Sequence, residues 1–296
     1  MKVNRIQLLD VLNKIKPAVA IKDIIEQTAH FIFTGDYVVT YNGSLSIKHK
    51  FNTGFRCSVS SDEFFQILSK MDCDEIDFTI DNSKIYFRSD KVEGELNITT
   101  DIDNKFLIEP PGEWKNLPTN FIEAIEFCQS SARYNATMPV LYYLNIVDNM
   151  VISSDSYRIS QYIMDSAIED SFLLSSDHVT YLIRHHLVKY ALNKTWIFFK
   201  TDDDVIFCCR RADYVYPDLL SILQQSLSGH EIIFPEKIID AIEVSSILAE
   251  GEHDIDTKIK ITIADNKLIC TGQNNVGKIN FILDFICGED KAITFA

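Results

Sequence analysis

Three short stretches carry the residue types from which active sites are made. His185-His186 offers two imidazoles, Cys208-Cys209 two thiols, and Asp202-Asp203-Asp204 three carboxylates. Each would need a particular geometry to do chemistry. Adjacent residues on a helix point about 100° apart, and no Glu-x-x-His frame surrounds the histidine pair, so a surface role is expected rather than a metal site. Adjacent cysteines in a strand face opposite sides, which argues against a redox couple. The aspartate run falls at a hairpin corner and reads as a solvated turn. Cysteines occur at positions 57, 73, 128, 208, 209, 270 and 287. They follow no zinc spacing, and most read as small buried hydrophobes in a reducing cytosol. There is no glycine-rich phosphate loop, Gly-x-Ser-x-Gly elbow or zinc deaminase signature. The expectation is a binding protein without catalysis, metal or cofactor.

Composition bounds the alternatives. A chain of 296 residues with 46% hydrophobic content can bury the cores of two or three domains. No apolar run approaches the roughly 20 residues that span a bilayer, and Met1-Lys2-Val3-Asn4-Arg5 lacks a signal-peptide core. A cytoplasmic protein with no membrane partner is expected. The net charge of −15 argues against gripping phosphates by bulk charge. It leaves room for basic residues gathered on one surface.

The elements that must position any site follow a repeat. An amphipathic helix is followed by alternating strands that turn at corners rich in Asp and Asn. These corners are Gly35-Asp36, Asp81-Asn82, Asp148-Asn149, Asp203-Asp204 and Asp265-Asn266. Asp, Asn and Gly tolerate the left-handed backbone that tight hairpins require. Ile76, Phe78 and Ile80 alternate with Asp77 and Thr79, and Ile259, Ile261 and Ile263 repeat the pattern. Helical stripes run through Leu8, Leu9, Leu12, Ile15; Phe64, Phe65, Leu68; Phe121, Ile122, Ile125; Val179, Leu182, Ile183, Leu187; and Ile238, Ile239, Ile242. Five strand–helix–strands units are predicted, starting near residues 1, 56, 115, 171 and 231. Pro110-Pro111-Gly112 and the stretch Gln224 to Gly229 read as linkers. Pairing the units predicts domains at 1–112 and 113–224, with the first half of a third at 230–296.

Four segments in register with this repeat resemble the bacterial DNA polymerase III beta subunit, or beta sliding clamp, family. Ser153-Ser154-Asp155-Ser156-Tyr157-Arg158-Ile159-Ser160 is similar to its Ala-Thr-Asp-Gly-His-Arg-Leu-Ala segment, with Ser156 and Tyr157 replacing the family glycine and histidine. Tyr214 to Leu223 resembles the Gly-Arg-Phe-Pro-Asp-Tyr segment, with Gln224 in place of the following proline. Met138-Pro139-Val140-Leu141 and the helix from Ile238 to Glu250 complete the set. The resemblance implies an α+β clamp fold with helices lining a hole and antiparallel sheets outside. It also implies a head-to-tail homodimer ring around double-stranded DNA that tethers the replicative polymerase and is placed by a clamp loader. The family has six units per subunit. Five are read here, and whether the chain is a fragment or a clamp lacking the last unit stays open.

On that reading the DNA-facing candidates are Lys14, Lys16, Lys22, Arg133, Arg184, Lys189 and Lys194. The helices also carry acids such as Asp62, Glu63, Glu123 and Glu126, so the lumen is expected to be only modestly basic. Carried over position by position, Leu141, Ser154, Ser156, Tyr157, Arg158 and Ile159 would form one wall of a groove for partner peptides. A clamp-like adaptor or decoy that binds such peptides without encircling DNA is the alternative.

Overall fold

The computed structural model describes residues 1–226, 233–249, 258–285 and 293–295. Each of the first four predicted units is realised as a leading strand, a helix and a three-stranded meander. The first comprises β1 (Lys2–Asn4), α1 (Arg5–Ile15), β2 (His30–Thr34), β3 (Tyr37–Tyr41) and β4 (Leu45–Lys50). The second comprises β5 (Arg56–Ser60), α2 (Ser61–Lys70), β6 (Glu75–Ile80), β7 (Lys84–Arg88) and β8 (Glu93–Thr99). The third comprises β9 (Lys115–Asn116), α3 (Phe121–Gln129), β10 (Tyr143–Val147), β11 (Met150–Ser154) and β12 (Ile159–Ile163). The fourth comprises β13 (Phe172–Ser175), α4 (Ser176–Leu182), β14 (Leu187–Leu192), β15 (Trp196–Thr201) and β16 (Ile206–Arg210). After α5 (Leu219–Ser226) come α6 (Ile238–Ser246), β17 (Lys260–Ala264), β18 (Lys267–Gln273), β19 (Lys278–Asp284) and β20 (Ile293–Phe295). The predicted start of the fifth unit, near residue 231, lies outside the described residues.

The corners behave as their chemistry requires. Gly35, Asp148, Asp204, Asp265 and Asn266 all adopt positive φ. Asp81 works differently: its carboxylate accepts from the backbone N–H groups of Ser83 and Lys84, both at 2.8 Å.

Leading strands are exchanged. β1 of the first unit pairs with β6 of the second, and β5 of the second pairs with β2 of the first. Likewise β9 pairs with β14, and β13 with β10. The third strands of the first and fourth units, β4 and β16, pair antiparallel from Leu45↔Cys209 to Lys48↔Ile206. A twelve-stranded sheet results, ordered β1-β6-β7-β8-β5-β2-β3-β4-β16-β15-β14-β9, beside a four-stranded β12-β11-β10-β13.

Residues Met1–Leu223 form one compact unit and Gln224–Ala296 a second. In the first, the helices bury Leu8, Leu12, Ile15, Phe64, Leu68, Phe121, Ile125, Val179 and Leu182 against one sheet face. The opposite face carries a smaller core of Ile32, Val39, Tyr41, Trp196 and Phe198, over which Ile102 and Phe106 fold back. One stripe departs from expectation. Helix α4 ends at Leu182, and Leu187 is the first residue of β14, because the intervening turn bonds Arg184 N and His185 N back to Tyr181 and Leu182.

The second compact unit packs α6 on the sheet β19-β18-β17-β20. Here the expected stripe is only partly inward: Ile238 packs against the core, but Ile239 is 64% exposed and Ile242 38%, whereas Ala241 and Ser245 are fully buried. Gly272 is the cause. A Cβ there would lie 1.7 Å from the Ser245 carbonyl oxygen, so only glycine admits the helix this close. Ser245 Oγ then donates to Cys270 O at 3.0 Å. Gly272→Ala is expected to cost about 1–3 kcal/mol by overpacking. Hydrogen exchange should show protection lost in α6 while α1 to α4 keep theirs.

Candidate functional site

Two surfaces of the first compact unit gather the predicted residues. The first lies where α1 meets the chain after α4. Asn13, Lys14, Lys16, Pro17, Arg184 and His185 line a cavity of about 400 Å³. Lys14 and Lys16 come from the last turn of α1 and the short 3-10 turn after it, and Arg184 follows α4 directly. Three of the seven DNA-facing candidates are therefore brought together from repeats one and four.

Their charges are not equivalent. Lys14 Nζ lies 2.8 Å from Asp203 and 3.1 Å from Asp10. The Asp203 bond, foremost, raises the Lys14 pKa. Burial alone would raise the Asp203 carboxyl, but hydrogen bonds from Lys14 and Thr201 outweigh it and hold it at about 2. This aspartate belongs to the run read from sequence as a solvated turn. Its second role, neutralising Lys14, was invisible because 189 residues separate the partners. Lys16 Nζ sits 4.3 Å from the Phe65 ring centroid, a cation–π contact. Arg184 is exposed. The histidine pair splits: His185 packs on Phe207 with centroids 4.8 Å apart, while His186 Nδ1 lies 3.4 Å from Asp202. Among the described residues no group of three or more His, Cys, Asp or Glu side chains could hold a metal ion.

The other four candidates lie elsewhere. Lys22 is in the exposed loop between α1 and β2, Arg133 follows α3, and Lys194 is in the β14–β15 turn. Lys189 is on β14, where Tyr190 joins the helix-side core and Ala191 the opposite one. Strand alternation puts Lys189 on the side of Ala191, facing away from the helices.

The second surface is the β11–β12 turn. Asp155 is only 5% exposed, and its carboxylate accepts from Tyr157 N (3.2 Å), Arg158 N (3.1 Å) and Arg158 Nε (3.0 Å). Arg158 Nη2 reaches Ser130 O at 2.7 Å. Ser154 Oγ donates to Arg158 O at 2.8 Å, closing the turn. Ser156 takes φ 77°, the left-handed region, where a glycine would be unstrained. Tyr157 is left 75% exposed. Asn135 Nδ2 donates to Ser156 Oγ at 3.3 Å and ties in the turn that carries Leu141. Leu141 itself is 2% exposed, so it backs this wall without presenting surface. Asp155 organises the turn and was not among the candidates. The signal was present in its spacing, an Asp two residues before the Tyr it bonds. Tyr214 was also missed: its ring packs at a tilt against Tyr143 at the start of β10, centroids 5.6 Å apart, bringing Tyr214 to this sheet.

Comparison with known structures bears on the fold. The sliding clamp of Bacillus subtilis superposes with a TM-score of 0.80 at 18% identity, covering 100% of this chain and 86% of that one. The fold is that of a DNA polymerase sliding clamp. The beta subunit of Streptococcus pyogenes gives 0.80 at 21% identity, covering 99% and 86%. A Bartonella birtlesii sliding clamp solved with griselimycin gives 0.79 at 16%, covering 100% and 86%. In sequence, the curated Bacillus subtilis beta sliding clamp is 29% identical over 113 residues, which is 37% of this chain and 29% of that protein. No protein-family model matches the chain. Among the described residues no helix is long and apolar enough to cross a membrane.

Two outcomes follow for the first compact unit. Asp155→Ala removes a buried acceptor of three bonds and should cost about 1–3 kcal/mol in urea unfolding, with the turn at 155–158 losing exchange protection. His178 on α4 is 3% exposed, and burial lowers its pKa to about 4, against opposing effects of Asp177 and the Ser44 backbone. Its folded pKa lies below its unfolded value, so its contribution is complete above about pH 6.5 and falls away as pH drops toward 4. Equilibrium unfolding across that window should show the loss, and His178→Gln should flatten it.

Proposed function

We propose that this chain acts as a processivity clamp: it encircles duplex DNA and tethers a replicative polymerase without chemistry of its own. The observation that carries the reading is the convergence of Lys14, Lys16 and Arg184 on the helix side of a clamp-fold sheet. In this reading repeats one and two form a domain at 1–112, repeats three and four a domain at 113–224, and residues 230–296 contribute the first half of a third. The edge strands support a head-to-tail dimer. Within the chain, the third strand of an odd repeat pairs with the third strand of an even one, as β4 does with β16. The same relation between two copies would set the edge strand β19 of one along the Glu93–Asn97 stretch of β8 of the other, which pairs with β7 on one side while β5 reaches only Ile98 and Thr99.

Retention by such a ring is topological, so the DNA contacts can stay weak and the ring can slide. With Lys14 held by Asp10 and Asp203, Lys16 and Arg184 would carry most of the attraction in this cavity. The turn at 154–159 would take the apolar ends of partner peptides from the polymerase and the clamp loader, with exposed Tyr157 as an anchor surface.

The deciding experiment loads the purified chain onto nicked circular plasmid with a bacterial clamp loader. A dimeric mass in solution, retention on the circle and rapid loss on linearisation are expected. A monomer that dissociates equally from circular and linear DNA, yet still binds partner peptides, would overturn the clamp in favour of the adaptor reading. Lys16→Ala and Arg184→Ala should each lower the slope of log affinity against log salt by about one. Lys189→Ala should leave it unchanged.

A further inference from the structure

The run Asp202-Asp203-Asp204 lies in the turn between β15 and β16, and its three carboxylates go to three different cationic side chains. Asp202 lies 3.4 Å from His186, Asp203 2.8 Å from Lys14 and Asp204 2.6 Å from Lys200. The middle one is aimed. Thr201, only 2% exposed, donates from Oγ1 to Asp203 Oδ1 at 2.5 Å, while Asp203 Oδ2 accepts from Lys14. Strand alternation sets the aim. On β15, Ile197 and Phe199 join the helix-side core and Phe198 the opposite one. Thr201 therefore stands on the helix side and Lys200 on the other. Asp203 is directed toward α1, and Asp204 is engaged by a lysine rooted on the far face.

Lys14 is thereby enclosed. Asp10, one helical turn before it on α1, stands 3.1 Å from the same ammonium. Two carboxylates around one ammonium leave the group with a net negative charge, so an approaching phosphate meets repulsion instead of a free cation. Lys16 is held differently. The Phe65 ring, 4.3 Å from its Nζ, fixes its position without cancelling its charge. Counterion release counts only the cations that reach phosphates, so a withheld lysine lowers the salt dependence by about one contact. A lone exposed ion pair would yield to a phosphate, because such pairs are weak. Here the second acid and the bond from Thr201 oppose that exchange. Within the clamp reading, on which this rests, we infer that Asp203 and Asp10 act as a brake on duplex binding. They withhold Lys14 from the phosphates and keep the grip on DNA weak enough for sliding.

Fluorescence anisotropy of a labelled mixed-sequence duplex, titrated with the full chain over a range of salt, tests the brake. The double variant Asp10→Asn, Asp203→Asn should steepen the slope of log affinity against log salt by about one. Both side chains are exposed, and the amide at 203 can still accept from Thr201, so the fold is kept. Asp203→Asn alone should steepen the slope by less, since Asp10 remains, and Asp203→Glu should restore the native value. Adding Lys14→Ala to the double variant should remove the gain. Asp204→Asn drops the same charge one residue away but frees a lysine on the far face, and should not steepen the slope. A double variant with the native slope, where Lys16→Ala and Arg184→Ala still lower it, would overturn the brake and spare the DNA contact. So would a gain that survives Lys14→Ala, or an Asp203→Asn gain matched by Asp204→Asn, since net charge alone would then be responsible. Slopes unmoved by Lys16→Ala and Arg184→Ala as well would remove the duplex contact, and the brake with it.

Discussion

Neither repeat of a pair completes its own sheet. Each gives its leading strand to its neighbour and receives one back: β1 lies on β6 and β5 on β2, with β9 on β14 and β13 on β10 repeating the exchange. A strand that left would open a ladder in one repeat and pull the following helix away from the core in the other. This reciprocity fixes where the helices lie, since each helix follows directly from its donated strand. The lateral pairing of β4 with β16 then extends the order across repeats one and four. The cavity holding Lys16 and Arg184 exists because that pairing brings α1 beside the chain after α4.

Hydroxyl bonds tie the helix ends to the sheet at matching places. Thr40 on β3 donates to Ile15 O at 2.6 Å, and Ser153 on β11 donates to Cys128 O at 2.5 Å. Both carbonyls lie in the last turn of a helix. These bonds are buried and fasten the C-terminal ends of α1 and α3 to the strands. Side chains projecting from the C-terminal end of α1 inherit that anchoring, which is how a threonine in the middle of a strand bears on the position of Lys14 and Lys16.

Much of this was legible in the chain. The corners announced themselves through Asp, Asn and Gly at positions that need a left-handed backbone or an Asx turn, and the helices through apolar residues at three-to-four spacing. What escaped was whatever depends on partners remote in sequence. Leu187 looked helical because its spacing continued the α4 stripe, yet the backbone had already turned. Ile239 and Ile242 looked like core because nothing in the α6 sequence reveals that Gly272 draws Ala241 and Ser245 inward instead. Lys14 stood among the DNA-facing candidates because Asp203, which pairs with it, lies 189 residues further along the chain. Lys189 fell on the wrong side of the sheet for the helices because alternation along β14 is decided by Tyr190. Asp155 was overlooked for a different reason: a buried carboxylate that shapes a turn does not itself face a ligand.

Cys208 and Cys209 lie on β16, the strand that forms the seam with β4. Their thiols sit in different cores, Cys209 beneath the helices and Cys208 under the segment that folds over the other face. Burial pushes the Cys208 pKa to about 12 and that of Cys209 well above its ordinary value, so neither is nucleophilic while the seam is closed. The pair is thus a built-in gauge of which layer lifts first when the seam breathes. A thiol reagent reaching Cys208 ahead of Cys209 would report loosening of the covering segment, and the reverse order would report the helices parting from the sheet.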